Sequence, residues 1–207
     1  MATASSFHRA AGIAAYLVAA FSILYAVVFL GFVRTDPNNT TAASVASALI
    51  AAGALSAALA TAGFASYLGG AGATFLAAFG VGYSLLAAAH GVYAAITAAD
   101  GTADLAISPT DPRGFATFGL AGVWLLVAGT ILRGRADLRR VYWQIALLAG
   151  IDLILLFFGT VAGATPVILV TGGFASVILV PAFWLMTGRL LTVADADVDT
   201  DTGTDSA

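Results

Sequence analysis

From Pro37 to Ala99 the chain carries no Asp, Glu, Lys or Arg, and from Val141 to Gly188 a second such run is interrupted only by Asp152. A water-facing fold must cover its outside with charge. A bilayer core about 30 Å thick instead takes about 20 apolar residues per helical crossing, so each run holds two crossings and a turn. The remaining composition agrees: of 207 residues 60% are hydrophobic and 9% charged, with a mean hydropathy of +0.98. The expected fold class is therefore all-α, a polytopic transmembrane helical bundle with no separate soluble domain.

Six spans are expected, at about 10–33, 42–68, 74–97, 114–132, 141–161 and 166–188, together forming one membrane domain over 1–192. The first apolar stretch is too long for the core of a signal peptide and is read as an uncleaved helix. Asp36-Pro37-Asn38-Asn39 marks a turn, after which Thr40 or Thr41 is expected to cap the second span. That span is built mostly of small residues. Gly53 with Ala57, and Ala52 with Ser56 and Ala60, give the spacing that lets membrane helices pack closely, so this helix is expected to be sheltered on most sides. Gly69-Gly70-Ala71-Gly72 forms the next turn. Asp111-Pro112 and Thr165-Pro166 each read as a cap followed by proline at the first helical position. Pro181, inside the sixth span, is expected to kink it.

Orientation follows from the cations. With the N-terminus in the cytoplasm, the inner face holds Arg9, Arg133, Arg135, Arg139, Arg140 and Arg189, against Arg34 and Arg113 outside. This bias needs an even number of spans, and so places both termini in the cytoplasm. Tyr142, Trp143 and Trp184 fit an aromatic belt at the inner interface. Residues 193–207 alternate Asp with small and polar residues and are expected to form a disordered acidic tail.

Composition also removes whole classes of chemistry. The chain contains no Cys, hence no disulfide, thiol nucleophile or cysteine-held metal cluster. All eight cations are Arg and all eleven anions Asp, so a lysine-borne Schiff base is absent too. No phosphate-binding loop, nucleophile elbow or zinc-binding His pair occurs, and eight scattered arginines do not make a nucleic-acid surface. No catalytic, cofactor-binding or metal residue is assigned, no cofactor is expected, and the chain reads as a non-enzyme. Its partner is the lipid bilayer; both homo- and hetero-oligomers stay open. The Arg/Asp, Ala and Gly bias fits a prokaryotic cell-membrane protein from a GC-rich genome or a high-salt habitat.

Two residues remain as candidates. Asp152 falls near mid-span, where an ionised carboxylate costs at least about 2.5 kcal/mol, so it must face the bundle, be protonated or have a partner. It is either part of a proton or cation pathway or a pin that hydrogen-bonds a neighbouring helix. His90 lies in the third span, about two turns from its outer end, and is either a relay partner of Asp152 or a satisfied interior group. Asn38-Asn39-Thr40 and Asn39-Thr40-Thr41 match the glycosylation pattern, although turn and cap roles account for the same residues. The two halves of the chain show no internal repeat.

The segment Leu138-Arg139-Arg140-Val141-Tyr142-Trp143 leading into IALLAGIDLILL, with the closing ILVPAFWLMTGRLL, resembles a group of uncharacterised prokaryotic six-helix membrane proteins, a domain of unknown function. The resemblance covers about a quarter of the chain. It implies a six-helix bundle, with Pro181, Trp184 and Gly188 in the closing helix, and carries over no activity and no site residue. The expected function is that of a multi-pass membrane protein serving as a scaffold or membrane-complex component. The alternative is a proton- or cation-coupled carrier of a small solute using Asp152, with Gly172-Gly173 and Pro181 interrupting the last span.

Overall fold

The computed structural model describes residues 4–101 and 116–201. Among these the chain is helical throughout. Helix α1 (Ala4–Val28) runs into a π-helical turn (Phe29–Val33), followed by α2 (Thr40–Leu68) and α3 (Gly70–Ala99). A second π turn (Ala116–Leu120) leads into α4 (Ala121–Arg133), and α5 (Arg140–Val161) follows. The last long rod is composite: α6 (Thr165–Phe174), a third π turn (Ala175–Leu179), and α7 (Val180–Asp201). Five apolar helices are long enough to cross a membrane: Ser6–Val33, Thr40–Leu68, Gly70–Ala99, Arg140–Val161 and Thr165–Val193. A shorter apolar helix covers Phe118–Arg133. This is the composition of a membrane-embedded, multi-pass helical protein.

The turns form where the sequence supplies their chemistry, with two changes in the capping residues. Asn39, rather than Thr40 or Thr41, caps α2: its Oδ1 accepts from the Ala42 N–H at 2.9 Å. The short amide side chain reaches the third helical N–H while Thr40 and Thr41 already lie inside the helix. At α6, Ala164 occupies the cap position without a side-chain bond, and Thr165 is already helical, with Pro166 in the first turn. Gly69, Gly70, Gly101 and Gly163 hold positive φ, between 64° and 78°, where a Cβ would be strained. The cap expected at Asp111-Pro112, with Arg113 and the start of the fourth span, lies outside the described residues.

Successive rods pack antiparallel, α1 on α2, α2 on α3 and α4 on α5, and α7 returns to lie along α1. Glycines set the closest crossings. A methyl group on Gly12 would sit 3.1 Å from the Gly188 carbonyl, and one on Gly188 would sit 3.0 Å from that of Gly12. Gly122 and Gly150 face each other in the same way between α4 and α5, and Gly91 abuts the Ser47–Ala51 backbone of α2. Backbones this close gain dispersion contacts, which is how helices adhere where the surroundings are as apolar as the side chains.

Span two is not the sheltered helix that its small residues suggested. In its most apolar window 33% of residues are buried, the same as α3 and less than the 39% of α5. Small side chains draw α1 and α3 in closely and leave the rest of α2 facing outward. Ala57 is buried in the core and Gly53 lies against Phe21 of α1, and both also border a cavity.

The core is aromatic. Phe64, Trp124 and Phe183 are fully buried, and Tyr142 and Trp184 nearly so. Trp124 stacks on Trp184 with ring centroids 5.7 Å apart, and Phe183 meets both Phe64 and Trp124 edge-on. Tyr142 and Trp184 are therefore core residues, not members of an interfacial belt: each sits on the inward face of its helix. Their polar ends are satisfied inside. The Thr187 hydroxyl donates to the Phe183 carbonyl at 2.9 Å, so the Tyr142 hydroxyl, 2.6 Å away, donates to Thr187. Trp124 donates its Nε1–H to the Leu76 carbonyl at 2.9 Å, tying α4 to α3. Trp143 remains half-buried near the helix end, with the Arg133 guanidinium 5.6 Å from its ring.

At that same end Arg135 fastens the α4–α5 loop. Its Nε and Nη2 both donate to Asp137 at 2.9 Å, and its Nη1 reaches the Leu68 carbonyl at the end of α2. The guanidinium holds the Asp137 carboxyl below the usual carboxylate range. Helix α7 continues to Asp201, so the backbone of 193–201 is helical where a disordered tail was expected. A helix already nucleated in the bundle extends at the cost of fixing one residue per added bond. Residues 202–207 lie outside the described ones.

Candidate functional site

Helix type changes just ahead of Pro181. A proline lacks an N–H and its ring collides with the carbonyl four residues back, here Val177. The chain answers with the π turn Ala175–Leu179, in which the Val180 N–H donates to the Ala175 carbonyl. In that register the carbonyl of Ser176 would accept from residue 181, which has no proton to give. Ser22 of α1 supplies the missing donor, its hydroxyl lying 3.0 Å from the Ser176 carbonyl. Gly172 and Gly173 remain inside α6 and do not break it.

Beside this turn lies a cavity of about 190 Å³ bordered by all the long rods. Its wall is mostly apolar, with side chains such as Phe21, Leu125, Leu153 and Val180, and among the described residues carries no Asp or Arg. Aromatic surfaces come from Tyr83, Phe118 and Trp184. Polar groups come from Ser22 and Tyr25, one turn apart on α1, from Tyr83 and His90 of α3, and from Ser176 of the last rod. Tyr25 is oriented by stacking on Phe29, ring centroids 5.6 Å apart.

The structure thus brings His90 to the cavity and leaves Asp152 out of its lining. Asp152 is buried on α5, with Leu153 and Leu156 of the same helix facing the cavity. Its Oδ2 has no hydrogen-bond partner among the described residues. The register of α5 against the last rod is fixed by Tyr142–Thr187 at one end and by Gly159 against Val167 at the other. Interpolation between them sets Asp152 level with the start of the π turn, which α5 contacts. Among the described residues no hydroxyl partners Oδ2, and Asp152 is not in the lining that His90 joins.

Chemically the site offers an apolar, aromatic wall with a few hydroxyls and one imidazole. No three residues among described His, Cys, Asp and Glu are gathered as metal ligands. Sequence reasoning found His90 but missed Ser22, Tyr25 and Tyr83. The available signal was that Ser22 and Tyr25 are polar residues three apart within an otherwise apolar first span. Comparisons with protein-family models, with curated proteins and with solved structures return no match for this chain.

Proposed function

We propose that this chain is a six-pass cell-membrane protein, with both termini on the arginine-rich cytoplasmic side, that serves as a scaffold or membrane-complex component and not as an enzyme. One observation carries the reading: every long helix exposes large aliphatic or aromatic side chains outward. Val27, Leu55, Ile96, Phe158 and Val170 are each more than half exposed, while all described Arg and Asp except Asp152 lie in turns or toward the ends of rods. Such a surface is costly in water and suited to hydrocarbon. The sixth pass is the apolar helix ending at Arg133, with the residues preceding it. Flotation of membranes from expressing cells tests this: the chain should rise with lipid and resist alkaline carbonate, and release by carbonate contradicts it.

A second reading, a proton- or cation-coupled carrier using Asp152, is favoured by the buried, unpartnered Oδ2 level with a π turn. Under that reading Asp152→Asn abolishes uptake of some small solute with expression intact. Unchanged uptake across a solute panel rejects it.

A further inference from the structure

We propose that the cavity between the rods is a binding site for a small, neutral, single-ring compound bearing a hydroxyl group, of about the size of phenol. This goes beyond the membrane-scaffold reading, and rests on four properties of the wall.

Size comes first. The space is about 190 Å³, slightly larger than an engineered apolar cavity of about 150 Å³ that stays dry and admits benzene. One substituted ring fits. Charge comes second. Among the described residues no Asp or Arg lines the wall, so there a charged ligand would lose its hydration without gaining a carboxylate or guanidinium partner. Shape comes third: Tyr83, Phe118 and Trp184 present aromatic surfaces, and stacked or edge-on ring contacts favour a flat guest over an alkyl chain. Trp184 is itself held rigid by stacking on Trp124.

The fourth property is a small set of polar groups in the wall: Ser22 and Tyr25 of α1, Tyr83 and His90 of α3, and Ser176 of the last rod. Ser22 and Tyr25 stand one helical turn apart on α1 and line the same cavity. The Ser22 proton is committed to the Ser176 carbonyl, which leaves its oxygen as an acceptor for a ligand hydroxyl. Tyr25 can donate or accept. Ser22 and Tyr25 together can thereby hold one guest hydroxyl at α1, with its ring against Trp184.

The test uses full-length protein in detergent micelles with phenol as the probe, binding read by saturation-transfer NMR and by the rise in thermal midpoint, against empty micelles. Gly53 lines the cavity, and a Cβ there would meet only Phe21, at 3.4 Å. Gly53→Leu should therefore fill the space and weaken phenol binding at least about tenfold. Gly82→Leu, at a position with nothing within 4 Å and outside the lining, should bind as wild type. Tyr25→Phe should weaken binding about fivefold, the usual worth of one hydrogen bond. Benzoate and benzylammonium should bind at least about tenfold more weakly than phenol. Should Gly53→Leu fail to fold, Ala87→Leu fills the same cavity from α3, and the Tyr25→Phe and charged-probe arms stand without either variant. Equal binding by wild type and the filled variant, or equal binding of benzoate, overturns the proposal. Cyclohexane binding as tightly as phenol, with no effect of Tyr25→Phe, also overturns it, since that is simple apolar filling. None of these outcomes bears on flotation with lipid, so the membrane reading stands or falls separately.

Discussion

The Ser22 hydroxyl of α1 takes the place of the backbone donor that Pro181 lacks, giving the Ser176 carbonyl its hydrogen bond across 3.0 Å from another helix. A local defect in the last rod is thereby converted into a tertiary tie. In hydrocarbon, where water cannot step in, an orphaned carbonyl is costly.

Ser22→Ala should consequently destabilise the fold by about 1–3 kcal/mol, the usual penalty for stranding a buried polar group. In a Pro181→Ala background residue 181 regains its N–H, and the same Ser22→Ala change should cost far less. A double-mutant cycle on unfolding midpoints in detergent measures this coupling. Additive costs would show that Ser22 and Pro181 act independently.

Gly12 and Gly188 set the α1–α7 crossing, each facing the other's carbonyl at about the limit of contact. Gly12→Leu should separate the two helices and cost about 1–3 kcal/mol or more, because the obstacles include backbone as well as side chain. Gly31→Leu, with nothing within 4 Å of its Cβ, should be close to neutral. Comparison of the two variants by thermal unfolding checks the prediction, and equal midpoints would contradict it.

Charge marks one helix closely, since Arg140–Val161 begins and ends within a residue of the expected 141–161, whereas α3 runs Gly70–Ala99 against the expected 74–97 and the last rod continues through Arg189 to Asp201. The interior was less legible. Tyr142 and Trp184 near a helix end satisfy the pattern of an interfacial belt, and only the rotation of each helix reveals that they face Phe64 and Trp124. The role of Ser22 was hidden for a related reason, since its partner is a carbonyl 154 positions away in sequence. Gly53 and Ala57 carried a true small-residue signal, but spacing alone does not say whether a neighbour or a cavity fills the gap. His90 was found as a polar residue in an apolar span, whereas its distance from Asp152 depended on packing that the sequence does not encode locally.

Asp152 is buried without a hydrogen-bond partner for Oδ2 among the described residues. Asp152→Leu should therefore keep the fold and raise its stability by about 1–3 kcal/mol, since an apolar side chain removes a desolvated group that gains nothing in return. The unfolding midpoint of the purified variant reports this. A loss of similar size would mean that the carboxyl is tied to a neighbour and pins two helices.

Because the chain contains no cysteine, single cysteines can be placed at its turns and probed with a membrane-impermeant maleimide in intact cells. Six passes with both ends in the cytoplasm predict that Thr35→Cys and Ala164→Cys react from outside, while Ala71→Cys and Ala136→Cys react only after the membrane is opened. Labelling of Thr35→Cys and Ala136→Cys from the same side would contradict the membrane topology on which the proposed function depends.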